Sequence, residues 1–375
     1  MILTNARIVL PDHDMLGTLV LDGERIVDVQ PGISHAAGAI DMRGDTLMPG
    51  VVDVHTDNLE RQVQPRSNAR WPSRSAMVAH DAQCAAAGVT TVLDALCLGD
   101  LGFDKDRVIT FQDGVRDLDA LADTGLFKSE HFLHLRCELP ASDMMELLDP
   151  VADHPRVRMV SLMDHSPGVG QYANLEKYRA MRVREGHQSA WIEARILELQ
   201  ALRDRMRGPN RRALLERMRP IGTILASHDD RTVEEVAQND ADGIGISEFP
   251  VSHDAAGEAR RRGMRVIAGA PNIVRGGSHS GNVSAADLVR AGTVDALASD
   301  YVPSALIEAA FAVPGQTGVS LAQGVAMVTE QPARMAGLTD RGRLAAGWRA
   351  DVVRVRVYEG LAVVRQVWKA GERVI

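Results

Sequence analysis

Side chains that can bind metal ions recur in this sequence directly after short apolar segments. These side chains belong to His55, Asp57, Glu138, His165, His228 and Asp300. Imidazole and carboxylate groups together are donors that suit zinc or manganese. His55 and Asp57 are two positions apart, so on an extended strand their side chains lie on the same side and can bind one cation. If the apolar segments are neighbouring strands, the six residues define one metal site.

Each of these signals also has an ordinary structural explanation. A single histidine near a strand end is commonly a hydrogen-bonded structural residue, and an aspartate there often caps the next helix. We therefore interpret Asp164, Asp229 and Asp230 as helix caps or as partners of the ligands, and we leave open whether Glu248 faces the site. The recurrence of such residues at several strand ends is what favours a metal centre.

A segment rich in glycine and serine, residues 269–282, has the composition of an anion-binding loop. Its candidate substrate-binding residues are Arg275, Gly276, Gly277, Ser278, His279 and Asn282. Glycine and serine leave backbone N–H groups free to line a concavity, and a guanidinium offers a planar fork for phosphate oxygens. The structural alternative is an ordinary flexible loop.

The elements that must position these residues follow the pattern of parallel βα units. Eight apolar segments alternate with helical stretches, at residues 51–55, 90–95, 132–138, 157–163, 223–227, 243–248, 265–269 and 294–299. This pattern predicts an α/β fold, a TIM-like (β/α)8 barrel over residues 51–339 with its site at the carboxyl ends of the strands. An open doubly wound sheet is the alternative.

Three further regions complete the predicted organisation. Residues 1–50 and 340–375 read as short alternating strands, so we expect both termini to form one small β-sandwich domain. Residues 171–220 are too long for a strand-to-helix connection and read as a helical insertion in the barrel. Their interleaved arginines and glutamates favour a solvated face, with a lid over an anionic substrate as the alternative.

Composition excludes several classes of protein. Forty-two basic and fifty acidic side chains give a net charge of −8, which repels nucleic acid, and the low aromatic content of 4% argues against a base-stacking surface. No segment has the length of a membrane span, and Asn5 and Arg7 interrupt the first apolar run. Three cysteines without metal-knuckle spacing indicate a reducing compartment. We expect a cytoplasmic protein without a membrane partner.

Several strings of residues resemble a known group of enzymes. Residues 49–55, Pro-Gly-Val-Val-Asp-Val-His, resemble the first-strand signature of the amidohydrolase superfamily, which consists of metal-dependent hydrolases on a barrel flanked by a β unit from both termini. Residues 55–59, 134–140, 161–168, 226–230 and 269–282 resemble more closely the diphosphatases of the carbon–phosphorus lyase pathway. The resemblance covers essentially the whole chain. It implies hydrolysis of α-D-ribose 1-methylphosphonate 5-triphosphate to the 5-phosphate and diphosphate, in phosphonate metabolism.

The resemblance also implies roles for the candidate residues. A divalent cation, Zn²⁺ ahead of Mn²⁺ or Fe²⁺, would activate water, and Asp300 would orient this water and accept its proton. We also expect Mg²⁺ to accompany the substrate, because three carboxylates would neutralise the cation. Most members of the superfamily have a second histidine where this chain has Asp57. Many bridge two ions with a lysine, but no lysine of this chain lies at a predicted strand end, so Glu138 is the natural substitute and the number of ions is left open.

Two other functions remain compatible with a barrel of this kind, because function resides in the site. One is an amidohydrolase that cleaves a C–N bond, as in cyclic amide hydrolysis or nucleobase deamination. The other is a non-catalytic barrel that serves as an assembly partner. The arginine and glycine loop favours a small phosphorylated substrate, and the sequence leaves self-association to a homo-oligomer open.

Overall fold

The computed structural model describes residues 1–66, 69–102, 105–278 and 281–375. Its strands are β1 (Ile2–Val9), β2 (Asp14–Asp22), β3 (Arg25–Pro31), β4 (Ile40–Asp41), β5 (Thr46–Pro49), β6 (Val51–Thr56), β7 (Val89–Leu98), β8 (Glu130–Glu138), β9 (Val157–Met163), β10 (Ile224–His228), β11 (Ile246–Glu248), β12 (Arg265–Gly269), β13 (Ala296–Ala298), β14 (Val352–Tyr358), β15 (Leu361–Lys369) and β16 (Glu372–Arg373). The helices are α1 (Asn58–Val63), α2 (Ser73–Ala86), α3 (Lys105–Leu121), α4 (Met144–Leu148), α5 (Leu175–Arg184), α6 (Ser189–Met218), α7 (Val233–Ala241), α8 (His253–Arg261), α9 (Ala270–Arg275), α10 (Ala285–Arg290), α11 (Ala305–Thr317), α12 (Leu321–Ala326) and α13 (Glu330–Met335).

Strands β6 to β13 form one parallel sheet in sequential order, which confirms the predicted (β/α)8 barrel. A bridge between Thr56 and Asp300 brings the two edges of this sheet together. Strand β7 extends three residues beyond the predicted segment that ended at Ala95, whereas β13 covers only Ala296–Ala298. The open doubly wound sheet is therefore excluded.

The barrel interior is filled by apolar side chains from every strand. This cluster contains Val52, Val54, Leu93, Phe132, Met159, Ala226, Ile246, Ile267, Ala296 and Ala298. Residues of and after α13, among them Met335 and Leu338, pack against the same cluster. Burial on both faces explains why strands such as β6 are buried throughout. The packed interior leaves the ends of the strands as the place for a site.

Strands from both ends of the chain form the second sheet. Its order is β16-β15-β14-β5-β1-β2-β3, and β4 pairs with β1. Strand β14 is antiparallel to β5, and β5 is parallel to β1, so the last strands complete a sheet that the first strands begin. Trp368 and Leu47 are among the side chains buried in its core. Domain boundaries at 50 and 340 stay a prediction.

The region between β9 and β10 contains a short 3₁₀ helix at Gly170–Tyr172 followed by α5 and α6. Asn174 caps α5 by accepting hydrogen bonds from the backbone N–H groups of Glu176 and Lys177. The second half of α6 is attached to the barrel, because the Asn210 side chain donates 2.8 Å hydrogen bonds to the carbonyl oxygens of Leu139 and Ala141. This region is therefore a helical pair fixed to the barrel at one end.

A cluster of ionisable groups is buried between α2 and strands β7 and β8. His131 contacts Asp94 through Nδ1 at 2.9 Å and Asp81 through Nε2 at 3.2 Å. The Nε2 atom of His80 lies 2.6 Å from the other Asp94 oxygen, and its Nδ1 lies 2.9 Å from the side-chain nitrogen of Asn58. His131 needs a proton on both nitrogens to make its two contacts with carboxylates, so the cluster holds a buried imidazolium.

We expect this cluster to make stability depend on pH. Burial alone would lower the pKa of His131, but the Asp94 carboxylate and the hydrogen bonds to Asp81 and Asp94 outweigh it and raise the pKa to about 9. The raised pKa stabilises the fold fully below about pH 6.5, the ordinary histidine value, and this contribution is lost as the pH rises through 9. The free energy of unfolding should fall by up to about 1.4 kcal/mol per pH unit over this window.

Urea denaturation between pH 6 and 9.5 measures this slope. His131→Asn should reduce this slope, whereas His13→Asn, which changes an exposed histidine in the turn between β1 and β2, should leave it unchanged. An NMR titration of His131 in the parent protein should give a pKa near 9 even if the variant does not fold. A titration midpoint at or below 6.5 would contradict the prediction.

The structure also bears on membrane-spanning segments and on the state of the cysteines. Among the residues that the structure describes, no helix combines the length and apolarity needed to cross a lipid bilayer. Cys84, Cys97 and Cys137 are all buried free thiols. Burial raises the pKa of Cys97 to about 12, so this thiol is held in its protonated form at neutral pH.

Candidate active site

A cleft of about 680 Å³ lies at the carboxyl ends of the barrel strands. All six predicted metal ligands line it: His55, Asp57, Glu138, His165, His228 and Asp300. Its outer walls come from the segment after β7, from α5 and the start of α6, and from the loop after α9. The strand-end prediction therefore brought together residues that lie in one cleft.

His55 is oriented by a carboxylate from another strand. Its Nδ1 donates to Oε1 of Glu248 at 2.8 Å, and the other Glu248 oxygen accepts a 3.0 Å hydrogen bond from Ser161 Oγ. Both His55 and Glu248 are fully buried. Burial alone would lower the pKa of His55, but the Glu248 carboxylate outweighs it and raises the pKa to about 10. Fixing Nδ1 as the donor leaves Nε2 directed elsewhere, as in histidines that bind metal.

His165 and His228 lie beside each other, with ring centroids 5.5 Å apart. Glu138 accepts two hydrogen bonds from His165, one from the backbone N–H at 2.8 Å and one from Nδ1 at 2.6 Å. Both Glu138 oxygens are therefore engaged in orienting His165, and a bridging role for Glu138 stays a prediction. Nδ1 of His228 lies 3.4 Å from Oδ2 of Asp229.

Asp57 and Asp300 meet where the barrel closes. The N–H of Asp57 donates to the carbonyl of Asp300 at 2.6 Å, and the N–H of Asp300 donates to the carbonyl of His55 at 3.0 Å. Burial and the neighbouring Asp57 carboxylate raise the pKa of Asp300. Burial alone would also raise the pKa of Asp57, but Arg136, whose Nη1 lies 2.5 Å from Oδ1, holds it well below its usual range.

The donor chemistry of the cleft fits a divalent cation. Nε2 of both His55 and His228 is buried and has no hydrogen-bond partner among the described residues. Donor atoms from His55, Asp57 and Asp300 lie within 4.8 Å of one another, and so do donors from His165, His228 and Asp229. Nε2 of His55 lies 3.5 Å from Oδ1 of Asp57. This is close to the separation of two ligand atoms that bind the same zinc ion, each at about 2.1 Å. A buried, unpartnered imidazole nitrogen is costly unless a ligand satisfies it.

Three residues that follow barrel strands have left-handed backbone conformations. Asp229 after β10, Phe249 after β11 and Asp300 shortly after β13 have φ values of 58°, 52° and 57°. Such values are uncommon for residues other than glycine, especially for a bulky side chain such as phenylalanine. Strain of this kind is concentrated at functional sites, where it aims side chains that ordinary strand geometry would direct elsewhere.

The predicted anion-binding loop lies on one wall of the cleft. Arg275, Gly277, Ser278 and Asn282 line the cleft, whereas Gly276 is exposed at the end of α9 with a φ of 75°. His279 lies outside the described residues. The N–H groups of Gly276 and Gly277 donate to the carbonyl oxygens of Ile273 and Asn272. Phosphate binding by these two amides would have to exchange those bonds, and it stays a prediction.

The sequence interpretation missed two side chains of the cleft. Arg136 is buried against Asp57, and Asp229, which we interpreted as a cap or partner, lies in a metal-donor group. Period-two alternation on β8 places Arg136 on the same face as Glu138, and this signal would have identified it. Glu248, for which orientation was left open, contacts His55 within the barrel.

The barrel fold and its cleft of metal-donor side chains define a hydrolase of the amidohydrolase class. Comparisons with known proteins agree with this assignment. The model of the Amidohydrolase family matches residues 263–375. Solved structures with the same fold include an N-acetyl-D-glucosamine-6-phosphate deacetylase from Mycobacterium smegmatis, with 19% identity, a TM-score of 0.64 and coverage of 100% of both chains. Another is a molinate hydrolase, with 12% identity and a TM-score of 0.66, over 100% of this chain and 94% of the other. These likenesses concern the fold alone.

Comparison with a curated relative identifies the family within this class. The α-D-ribose 1-methylphosphonate 5-triphosphate diphosphatase of Escherichia coli (strain K12) is 40% identical over 379 residues, which cover 100% of both proteins. The chain belongs to the family of this diphosphatase, within the amidohydrolases.

Proposed function

We propose that this protein hydrolyses α-D-ribose 1-methylphosphonate 5-triphosphate to α-D-ribose 1-methylphosphonate 5-phosphate and diphosphate, in phosphonate catabolism. The observation that carries the proposal is the 40% identity over the full length of both chains. The cleft with its imidazole and carboxylate donors supports hydrolysis in general, but barrels of this kind also cleave C–N bonds. The protein is thus an enzyme acting on a phosphoric anhydride.

The donor set supports Zn²⁺ as the resident cation, because imidazole nitrogen and carboxylate oxygen are both good zinc ligands. His55, Asp57 and Asp300 would hold one ion, and His165, His228 and Asp229 offer donors for a second. When bound, such a cation polarises water and the phosphate oxygens at neutral pH. A proton and a cation compete for Nε2 of His55, so acid should weaken metal binding.

The chain itself supplies a proton acceptor and positive charge. The Asp300 carboxylate would accept the proton of the attacking water, and the raised pKa of Asp300, nearer to that of a general base, supports this role. Attack at the α-phosphorus with diphosphate as leaving group places negative charge on non-bridging oxygens. Arg275 from the loop wall and Arg107 from α3 line the cleft and would stabilise that charge.

The cleft also supports a role for Mg²⁺ bound to the substrate. Asp57, Glu138 and Asp300 are three carboxylates in one cleft, and they neutralise much of the charge of a resident cation. A triphosphate brought in with Mg²⁺ would restore a favourable balance. As compartment we propose the cytoplasm, which agrees with three free cysteines.

Phosphorus NMR of the purified protein with the ribosyl triphosphate tests the proposed function. We expect the triphosphate signals to be replaced by those of inorganic diphosphate and of a 5-phosphate monoester, while the phosphonate signal persists. A chelator should abolish turnover, and added Zn²⁺ should restore it. Absence of diphosphate with a metal-loaded protein, or faster release of ammonia from cyclic amides or nucleobases, would contradict the proposal.

A further inference from the structure

Helices α5 and α6 form a wall of the cleft with a core of its own. Tyr178, Ile192 and Ile196 are buried in a cluster separate from the barrel core, and Tyr172 and Met181 pack against it. Four side chains from this wall line the cleft: Arg182, Glu185, His187 and Trp191. The wall is therefore built to present polar and aromatic groups to whatever occupies the cleft.

The wall has a fixed position relative to the barrel. Asn210 binds the carbonyl oxygens of Leu139 and Ala141, and Arg203 donates to Asp164 at 2.6 Å. At the entrance, the His187 and Trp191 rings stack with centroids 4.1 Å apart and an angle of 13°. Side chains held on a fixed wall lose little freedom when a ligand binds, which favours a specific contact.

Contacts with Tyr178 and Glu185 help to hold Arg182 in place. Its guanidinium lies over the Tyr178 ring, 5.0 Å from the centroid, and its Nη1 contacts Oε2 of Glu185 at 2.7 Å. Tyr178 is only 3% exposed, so the ring is a rigid support for the guanidinium. Glu185 is 44% exposed at its side chain, so its carboxylate can move into solvent when an anion with more charge binds Arg182.

A series of ring contacts connects Arg182 with His165, one of the metal donors. The Tyr178 ring lies 5.5 Å from the Tyr172 ring, and the Tyr172 ring lies 6.1 Å from that of His165. Arg136, by contrast, directly contacts Asp57. Arg136 therefore belongs to the reacting centre, whereas Arg182 stands two aromatic rings away from it along the same cleft.

We propose that Arg182 binds the terminal phosphate of the substrate's triphosphate chain, so that the helical insertion recognises the diphosphate leaving group. This inference rests on the proposed function. A terminal phosphate is the most highly charged end of the substrate, and the planar fork of a guanidinium can bind two of its oxygens. Binding energy at this remote group, which lies away from the reacting atoms, would strengthen substrate binding equally in the ground and transition states and so lower KM.

Steady-state kinetics with Arg182→Gln and the matched control Arg184→Gln test the inference. Arg184 is on the same helix but is exposed and contacts the carbonyl of Ala180. For Arg182→Gln we expect KM for the ribosyl triphosphate to rise about 10- to 100-fold with kcat within about twofold, because one charge-assisted contact is lost in ground and transition states alike. Arg182→Lys should recover part of the loss, and Arg184→Gln should match the parent protein.

Diphosphate alone provides a readout that does not need turnover. Calorimetry should show diphosphate binding to the parent and to Arg184→Gln, and binding at least about tenfold weaker to Arg182→Gln. Equal diphosphate affinity of Arg182→Gln and Arg184→Gln would overturn the inference. So would a KM increase of the same size for the ribosyl 5-diphosphate, which lacks the terminal phosphate; such an increase would assign Arg182 to another part of the substrate. Failure of the parent to hydrolyse the triphosphate would count against the proposed function, separately from these comparisons between variants.

Discussion

Replacing Asp300 with asparagine is expected to lower kcat by about a thousandfold, since positioned proton acceptors contribute roughly 10²- to 10⁴-fold. Asparagine keeps the size of the side chain but cannot accept the proton of the attacking water. The backbone contacts of residue 300 to His55 and Asp57 are retained, so the barrel should close as before. The measurement is diphosphate release at saturating substrate, expressed per bound metal ion so that a change in metal content is separated from a change in chemistry.

Asp295→Asn is the matched control. Asp295 precedes the same strand at the opposite end of the barrel, where it accepts hydrogen bonds from Arg260 and from the N–H of Val266. This variant should keep kcat within about twofold of the parent. If Asp300→Asn turned over as fast as Asp295→Asn, Asp300 would not be the proton acceptor.

Changing His228 to asparagine should have its largest effect on metal binding. His228 belongs to two of the donor groups in the cleft, one with His55 and Glu248 and one with His165 and Asp229. Loss of partners that only orient ligands costs about 10- to 100-fold in metal affinity, so loss of a shared donor should cost more than 100-fold. Chelator competition gives the affinity, and activity should fall in parallel unless Zn²⁺ is in large excess.

His253→Asn removes a histidine from an exposed position at the start of α8 and serves as control. It should bind metal and turn over like the parent. Indistinguishable metal affinities of His228→Asn and His253→Asn would refute the donor role of His228. If His228→Asn binds metal weakly, thermal unfolding of the metal-free His228→Asn and His253→Asn proteins tests whether a loss of stability is the cause.

The fold and the composition of the cleft could be predicted because both depend on local signals. Apolar segments separated by helical stretches identify parallel strands, and the carboxyl ends of such strands meet at one face. Glu138 and His228 end strands β8 and β10, and His55 is the last but one residue of β6, so their meeting followed from topology alone. His165 and Asp300 follow β9 and β13 within two residues, and the same rule covers them.

Side-chain partners could not be predicted in the same way. The contact of Glu248 with His55 joins residues far apart in sequence and depends on the rotamers of both. The left-handed conformation of Asp229 turns it towards His228, whereas an aspartate after a strand ordinarily suggests a helix cap. Likewise, the mixed charges of the insertion favoured a solvated face, and only the packing of α5 on α6 directs Arg182 into the cleft.

The pairing of early and late segments has a consequence for how the protein is made. Strand β5 can complete its antiparallel pairing only after β14 has been synthesised. The barrel can close only after Asp300 is available to pair with Thr56. Neither sheet can therefore be completed until most of the polypeptide has been synthesised. Until then the nascent chain leaves the β14-facing edge of β5 unpaired, and an unpaired strand edge can pair with other chains.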